Sequence, residues 1–293
     1  MQNSRSDKMF NVVNILLLSF ITVLVLYPLY FVVSASFSNP TYILKGEMWL
    51  WPKGFNVDSY TKVFENKDIV NGFINTLKYT TIGTLINLIM TIMAAYPLSR
   101  KDFYGKNVIM AIFVFTMFFG GGLIPTYLLI RDLGMIDTLW VMVIPNAVAV
   151  WNIIIMRTFF QTTIPLELQE SAQIDGCGNI RILLKIVLPL SMPVIAVMIL
   201  FYAVGHWNSY FQALIYLSDK ENFPLQLILR EILIRGEMDE MIKATSETFL
   251  NQKLSVEGLK YAVLIVANLP MLILYPFLQR YFVKGFMVGS IKG

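Results

Sequence analysis

The chain has 293 residues, of which 56% are hydrophobic and only 14% are charged. A soluble domain keeps roughly a quarter of its residues charged to face water, so these proportions disfavour a water-soluble globular enzyme. A single Cys and a single His exclude a disulfide framework, a thiolate metal cage and a multi-histidine metal site. The net charge of +4 comes without a basic stripe, so nothing marks a nucleic-acid partner.

Charged residues bracket six uncharged runs, over residues 8–45, 78–100, 106–131, 137–157, 185–219 and 260–280. Each run encloses at least 19 uncharged residues, and about 20 apolar residues let a helix cross ~30 Å of hydrocarbon. The runs are apolar throughout rather than alternating, which selects helices over a barrel. The expected fold class is therefore an all-α polytopic membrane protein with six transmembrane helices in a lipid bilayer.

The first run follows Arg5 and Lys8. It is longer than the apolar core of a signal peptide, and Tyr27-Pro28 is not a small-residue cleavage site, so it reads as a retained helix. Residues 38–72 are polar and mixed, with Trp49, Trp51, Pro40 and Pro52 as interfacial anchors and turns. Residues 1–72 thus form an N-terminal helix with an external segment. The loop holding Arg100, Lys101 and Lys106, with the basic tail of residues 281–293, places both termini in the cytoplasm. Gly120-Gly121-Gly122 in the third run allows a kink or a close approach of helices. Residues 218–259 carry Leu225, Leu227, Ile228, Leu229, Ile232 and Leu233 at amphipathic spacing, for a helix on the outer surface or packed on the bundle. His206, deep in an uncharged run, reads as a satisfied bundle residue rather than a proton relay.

The segment between the fourth and fifth runs is too long for a simple turn. Pro165 suits a first helical turn, Leu166 to Asp175 is helix-compatible, and Gly176 is placed to end the helix at positive φ. Gly178 and Asn179 begin a second helical stretch that reaches Leu188 and Pro189. Spacing alone leaves two readings open: an amphipathic loop packed on its own bundle, or a docking knob for a soluble partner.

Glu170-Ser171-Ala172, Asp175-Gly176 and Ile186-Val187-Leu188-Pro189 resemble the EAA loop of binding-protein-dependent ABC importer permeases. Ser171 stands where that family usually has Ala, which keeps a small side chain. Asn75-Thr76-Leu77, Ala95-Tyr96-Pro97-Leu98-Ser99-Arg100, Trp207-Asn208-Ser209-Tyr210 and Gly289-Ser290-Ile291-Lys292-Gly293 resemble the carbohydrate branch. Gly120 to Tyr127 is similar to a sub-branch for larger or modified oligosaccharides. The resemblance covers nearly the whole chain and implies the type I (MetI-like) permease fold, with a transmembrane core over residues 73–280 and the EAA loop at 165–189. It implies a prokaryotic cell-membrane location. It also implies partners: a second permease subunit forming a heterodimer, two copies of a cytoplasmic ABC ATPase, and an extracytoplasmic solute-binding protein.

The chain lacks a G-x-x-x-x-G-K-[ST] phosphate loop, since Gly105-Lys106 has no upstream glycine and is followed by Asn107. No cofactor is expected on this chain, no metal and no catalytic residue; ATP and Mg belong to the ATPase subunits. The resemblance makes Glu170 an anionic contact to the ATPase, Ala172 a site of close helix approach and Gly176 the turn, with Ser171, Asp175, Leu188 and Pro189 completing the coupling set. Sugar recognition calls for hydrogen-bonding groups beside flat aromatic faces. Asn146, Trp151 and Asn152 in the fourth run, and Trp207, Asn208 and Tyr210 in the fifth, offer both. Trp207 and Tyr210 also suit an interfacial belt, and the asparagines suit helix–helix contacts. An importer permease for oligopeptides or phosphonates is the nearest alternative, and a non-transport scaffold a more distant one. A secondary carrier or membrane enzyme would need intramembrane acids or a nucleophile–base set that the runs lack.

Overall fold

The computed structural model describes residues 5–241 and 247–290; residues 242–246 of the outer segment and Ile291, Lys292 and Gly293 of the expected tail lie outside the described residues. The described residues are helical, with no strand among them. In chain order the helices are α1 (Arg5–Ser36), α2 (Pro40–Leu44), α3 (Asp58–Glu65), α4 (Lys67–Ser99), α5 (Lys106–Phe118), α6 (Leu123–Asp132), α7 (Leu139–Val143) and α8 (Val150–Thr163). There follow α9 (Leu166–Ile174), α10 (Asn179–Ile182), a π-helical turn (Leu183–Val187), α11 (Leu188–Leu190), α12 (Met192–Trp207), α13 (Phe211–Tyr216), α14 (Leu225–Met241) and α15 (Glu247–Ser290). Packing divides them into two units, residues 1–70 with 229–269, and residues 71–228 with 270–293.

Among the described residues, three helices are long and apolar enough to cross a bilayer alone, within Lys8–Ser36, Lys67–Ser99 and Val256–Phe277. Two bent pairs raise the number to as many as five: Lys106–Phe118 with Leu123–Asp132 at 109°, and Asn179–Leu190 with Met192–Trp207 at 83°. The third run is thus not one straight helix. Gly122, at φ 81°, sits in a backbone region that side chains rarely adopt, and it begins α6 after Phe119 has left the helix. The fourth run is interrupted as well, because Pro145 has no N–H to donate back to the carbonyl of Val141. That carbonyl instead accepts the Gln212 side-chain amide at 2.5 Å. Flanking charges measure how long a run stays apolar; glycine and proline decide whether it stays one helix.

In the first unit, residues 37–60 fold onto the end of α1. The Phe37 ring stacks on Phe55 and leans on Tyr60, whose hydroxyl bonds Ser36 Oγ at 2.8 Å. Residues 8–30 of α1 remain exposed, which is the requirement for a helix that meets lipid or another subunit. Gly258 of α15 lies against Ser59 and Pro40, where a Cβ would collide with both.

The second unit holds the core. Tyr96 and Leu98 of α4, Ile153, Met156 and Phe160 of α8, and Met198 and Tyr202 of α12 are buried in one apolar cluster. Leu225, Leu227 and Ile228, from the amphipathic segment over residues 218–259, are buried in this unit, so that part packs on the bundle. It is fastened by α4: Thr76 Oγ1 accepts the Leu225 N–H at 2.8 Å, and Asn75 donates to the carbonyls of Glu221 and Phe223.

Candidate functional site

Two regions of the second unit carry polar groups arranged for work: a cavity between α4, α8 and α12, and the loop over residues 165–189. The cavity begins with α4. Thr76, Thr80, Asn87 and Thr91 recur at helical spacing and are all buried, so this otherwise apolar helix turns its polar stripe inward. Polar groups in a lipid-crossing helix are best satisfied there. Thr91 pairs with the Tyr202 hydroxyl at 2.6 Å. Asn87 donates to the Asn146 carbonyl at 2.5 Å, and its Oδ1 lies 2.6 Å from His206 Nε2. With the amide nitrogen of Asn87 so engaged, the imidazole is the donor in that pair. Asn146 in turn donates to Gln212 Oε1 at 3.0 Å. Asn87, Asn146, Asn152, Tyr202, His206, Ser209 and Gln212 line a cavity of about 350 Å³ together with Ala149, Val148, Phe201 and Gly205. Its hydrogen-bonding groups carry no carboxylate, ammonium or guanidinium.

Of the residues expected on a substrate path, Asn146 and Asn152 line this cavity. Trp151, one position from Asn152, points elsewhere and is exposed. Trp207 is buried against Phe73 in an edge-to-face pair with centroids 5.8 Å apart. Asn208 bonds back to the Val204 carbonyl at 3.0 Å, and Tyr210 lies edge-on to Phe211. Those four do not line the cavity. Asn87, Gln212 and Ser209 were not singled out from sequence as path residues, although an asparagine inside an uncharged run was a usable signal. His206 is satisfied by Asn87, as a bundle residue should be, and it also faces the cavity. Among the described residues, no three His, Cys, Asp or Glu side chains converge as metal ligands.

Between α6 and α7, Asp137 occupies the left-handed region at φ 58°. The backbone N–H groups of Asp219 and Ser218 donate to its carboxylate and hold its carboxyl below the usual range. This joins the start of α7 to the end of the α13 segment.

The loop at the other end is a helix–turn–helix. Glu167 occupies the first turn of α9, where the helix dipole favours an anion. Gly176 follows at φ 76° with nothing near its absent side chain, so the backbone angle alone asks for glycine. The Cys177 N–H returns to the Ala172 carbonyl at 2.9 Å and closes the helix end. Ala172 and Ile182 are buried in the apolar cluster and root both helices in the bundle, and Leu188 packs partly against it. Glu170, Ser171, Asp175 and Pro189 are exposed. So are two large apolar side chains, Ile174 at 87% and Ile180 at 74%. Beside them, Gly178, Ile180, Arg181, Leu184 and Lys185 line an open groove. The π-helical turn arises just before Pro189, which cannot donate to the Lys185 carbonyl.

A family model described as a binding-protein-dependent transport system inner membrane component matches residues 1–288. The chain belongs to this family. This permease is 39% identical over 293 residues to Protein LplC of Bacillus subtilis (strain 168), spanning 100% of this chain and 98% of that protein. It is 40% identical over 282 residues to the polygalacturonan/rhamnogalacturonan transport system permease protein YtcP of the same organism, covering 94% and 96%. Among solved structures, a chain of a bacterial ABC transporter involved in the import of the acidic polysaccharide alginate matches with a TM-score of 0.87 and 32% identity, over 96% of this permease and 99% of that chain. The permease therefore has the all-helical MetI-like fold and is a membrane-integral, non-enzymatic transporter subunit. An EAA motif is a feature of this family, and Glu170-Ser171-Ala172 is the stretch of this chain that resembles it.

Proposed function

We infer that this permease moves a sugar, an oligosaccharide, through the membrane after an extracytoplasmic binding protein delivers it. The observation that carries the reading is the uncharged, amide-rich cavity around Asn87, Asn146, Asn152 and Gln212. Such groups suit the many hydroxyls of a carbohydrate, because each amide both donates and accepts. Relatives named for polygalacturonan/rhamnogalacturonan, melibiose/raffinose/stachyose and arabinooligosaccharide transport support the same solute class.

The energy comes from a pair of separate ATPase subunits, which bind ATP and Mg and grip the loop over residues 165–189. Ile174, one turn beyond Glu170 on α9, and Ile180 at the start of α10 are both exposed, and apolar side chains at a polar tip suit a surface that a partner covers. Closure of the ATPase pair pulls the loops and rocks the bundle between inward- and outward-open states. A second permease subunit supplies the other half of the path. Counting α7 and α8 as one interrupted crossing beside the five candidates makes six crossings, with both termini in the cytoplasm.

The test is hydrolysis by the assembled importer in liposomes, stimulated by its binding protein loaded in turn with oligosaccharides and with oligopeptides. Stimulation by oligosaccharides is expected; stimulation by peptides alone would overturn the sugar assignment.

A further inference from the structure

Arg100 sits just past the end of α4 with a side chain only 9% exposed. Its Nε and Nη2 donate to the two carboxylate oxygens of Asp102 at 2.8 and 2.9 Å, a bidentate grip that fixes the plane of the guanidinium. The remaining nitrogen, Nη1, donates to the Tyr96 hydroxyl at 3.2 Å and to Gln169 Oε1 of α9 at 3.3 Å. Tyr96 passes the connection on, because its hydroxyl donates to the Asn179 carbonyl at the start of α10, 3.3 Å away. Behind the guanidinium, Lys106 Nζ donates to the Arg100 carbonyl at 2.8 Å and ties in the start of α5. One side chain therefore reaches, directly or through one hydroxyl, both helices of the loop over residues 165–189.

We propose that Arg100 is the positioning residue of the coupling loop, a clamp that makes α9, α10 and the inner end of α4 move as one body. A lysine cannot replace it, since a point charge on a flexible stem has no fork to hold Asp102 while serving Tyr96 and Gln169. The consequence lies further up the same helix. Asn87 is thirteen residues from Arg100 along α4, or ~20 Å at 1.5 Å per residue. Displacement of the loop thus reaches the Asn87–His206 wall of the cavity along α4, past Pro97 near its end. The proposal rests on the reading of this loop as the ATPase docking point.

The test uses the assembled importer in nanodiscs, with Cys177 replaced by Ser and spin labels at the exposed positions Lys101 and Gln173. Dipolar broadening between the labels reports the spacing of α9 from the end of α4. In the otherwise unmodified protein that spacing should be narrow, and the same with and without ATP and vanadate. Arg100→Gln should broaden it and let it shift on trapping; Arg100→Lys should fall between. Tyr96→Phe and Gln169→Ala, each removing one arm and sparing the Arg100–Asp102 pair, should broaden it less, which keeps the test open should Arg100→Gln fail to assemble. A spacing that already changes on trapping in the parent, or that stays narrow in all four variants, overturns the clamp. The docking reading is checked separately, by crosslinking a cysteine at Ile174 to the ATPase. Absence of that adduct would remove the docking reading and leave the EPR result to stand by itself.

Discussion

His206 and Asn87, 119 positions apart in sequence, meet at 2.6 Å over Gly83. The imidazole occupies the space that a Cβ at Gly83 would need, so the pair exists because this residue of α4 has no side chain. Gly83→Ala should leave the fold intact, since the colliding atoms belong to a movable ring, but should push His206 off Asn87. Losing one such hydrogen bond costs about 1 kcal/mol. The expected result is weaker oligosaccharide-dependent stimulation of hydrolysis with normal assembly; unchanged stimulation would separate this pair from transport.

Gly176 gives a second expectation. Its φ of 76° is costly for any residue with a Cβ, by roughly 1–2 kcal/mol. Gly176→Ala should therefore loosen the turn between α9 and α10 through the backbone angle alone, as nothing lies within 4 Å of where its Cβ would stand. The measurement is retention of the ATPase subunits during purification, which should fall. Retention equal to that of the parent protein would mean the turn angle does not govern docking.

Asp137 sets a pH dependence. The backbone donors at Asp219 and Ser218 depress its carboxyl below the ordinary carboxylate value, which is about 4. A depressed folded-state value stabilises the protein above the ordinary value, and that contribution disappears as pH falls through the depressed one. Thermal melts of the detergent-solubilised importer should thus begin to lose stability as pH falls to the ordinary value of about 4 and go on losing it down through the depressed one. Asp137→Ala should be destabilised at neutral pH and show a shallower acid loss. Parallel acid profiles for the two proteins would assign the loss to other groups.

The tip at Trp49-Leu50-Trp51 lies beside α1, where the Tyr27 hydroxyl donates to the Trp49 carbonyl and Ser34 Oγ to the Leu50 carbonyl. Tyr27 is nineteen residues beyond Lys8, ~28 Å along a helix, close to the far edge of a ~30 Å hydrocarbon layer. Both tryptophans are largely exposed at that depth, as an aromatic belt requires. With Trp140, Trp151 and Trp207 replaced by Phe, the remaining fluorescence should be quenched by lipids brominated near the headgroup. Quenching by aqueous iodide instead would place the tip in water.

The loop over residues 165–189 was the most legible part of the sequence. Pro165, Gly176 and the Gly178-Asn179 start act on their immediate neighbours, and α9, the turn and α10 fall where those residues place them. The interrupted runs were harder, although Gly120-Gly121-Gly122 and Pro145 were visible. Apolar length is a property of a window, whereas a break depends on whether a freed carbonyl finds another donor, as Val141 finds Gln212. The cavity was half legible for a related reason. Asn146 and Asn152 are polar groups in an apolar run, which marks them as inward-facing, but the direction of Trp151 or Trp207 depends on partners such as Phe73 from a distant helix.

Between the loop and α12 the backbone passes through a π-helical turn, Pro189, the buried Ser191 and Pro193, and there it bends by 83°. The regular ladder of hydrogen bonds is already open at this place, so rotation of one side against the other breaks few bonds that are not broken beforehand. The loop is joined to the cavity by two routes, one along α4, which carries Pro97 near its end, and one through this joint. Under the proposed coupling, one wall of the cavity would translate while the other swivels, and the opening would be a twist rather than a simple parting.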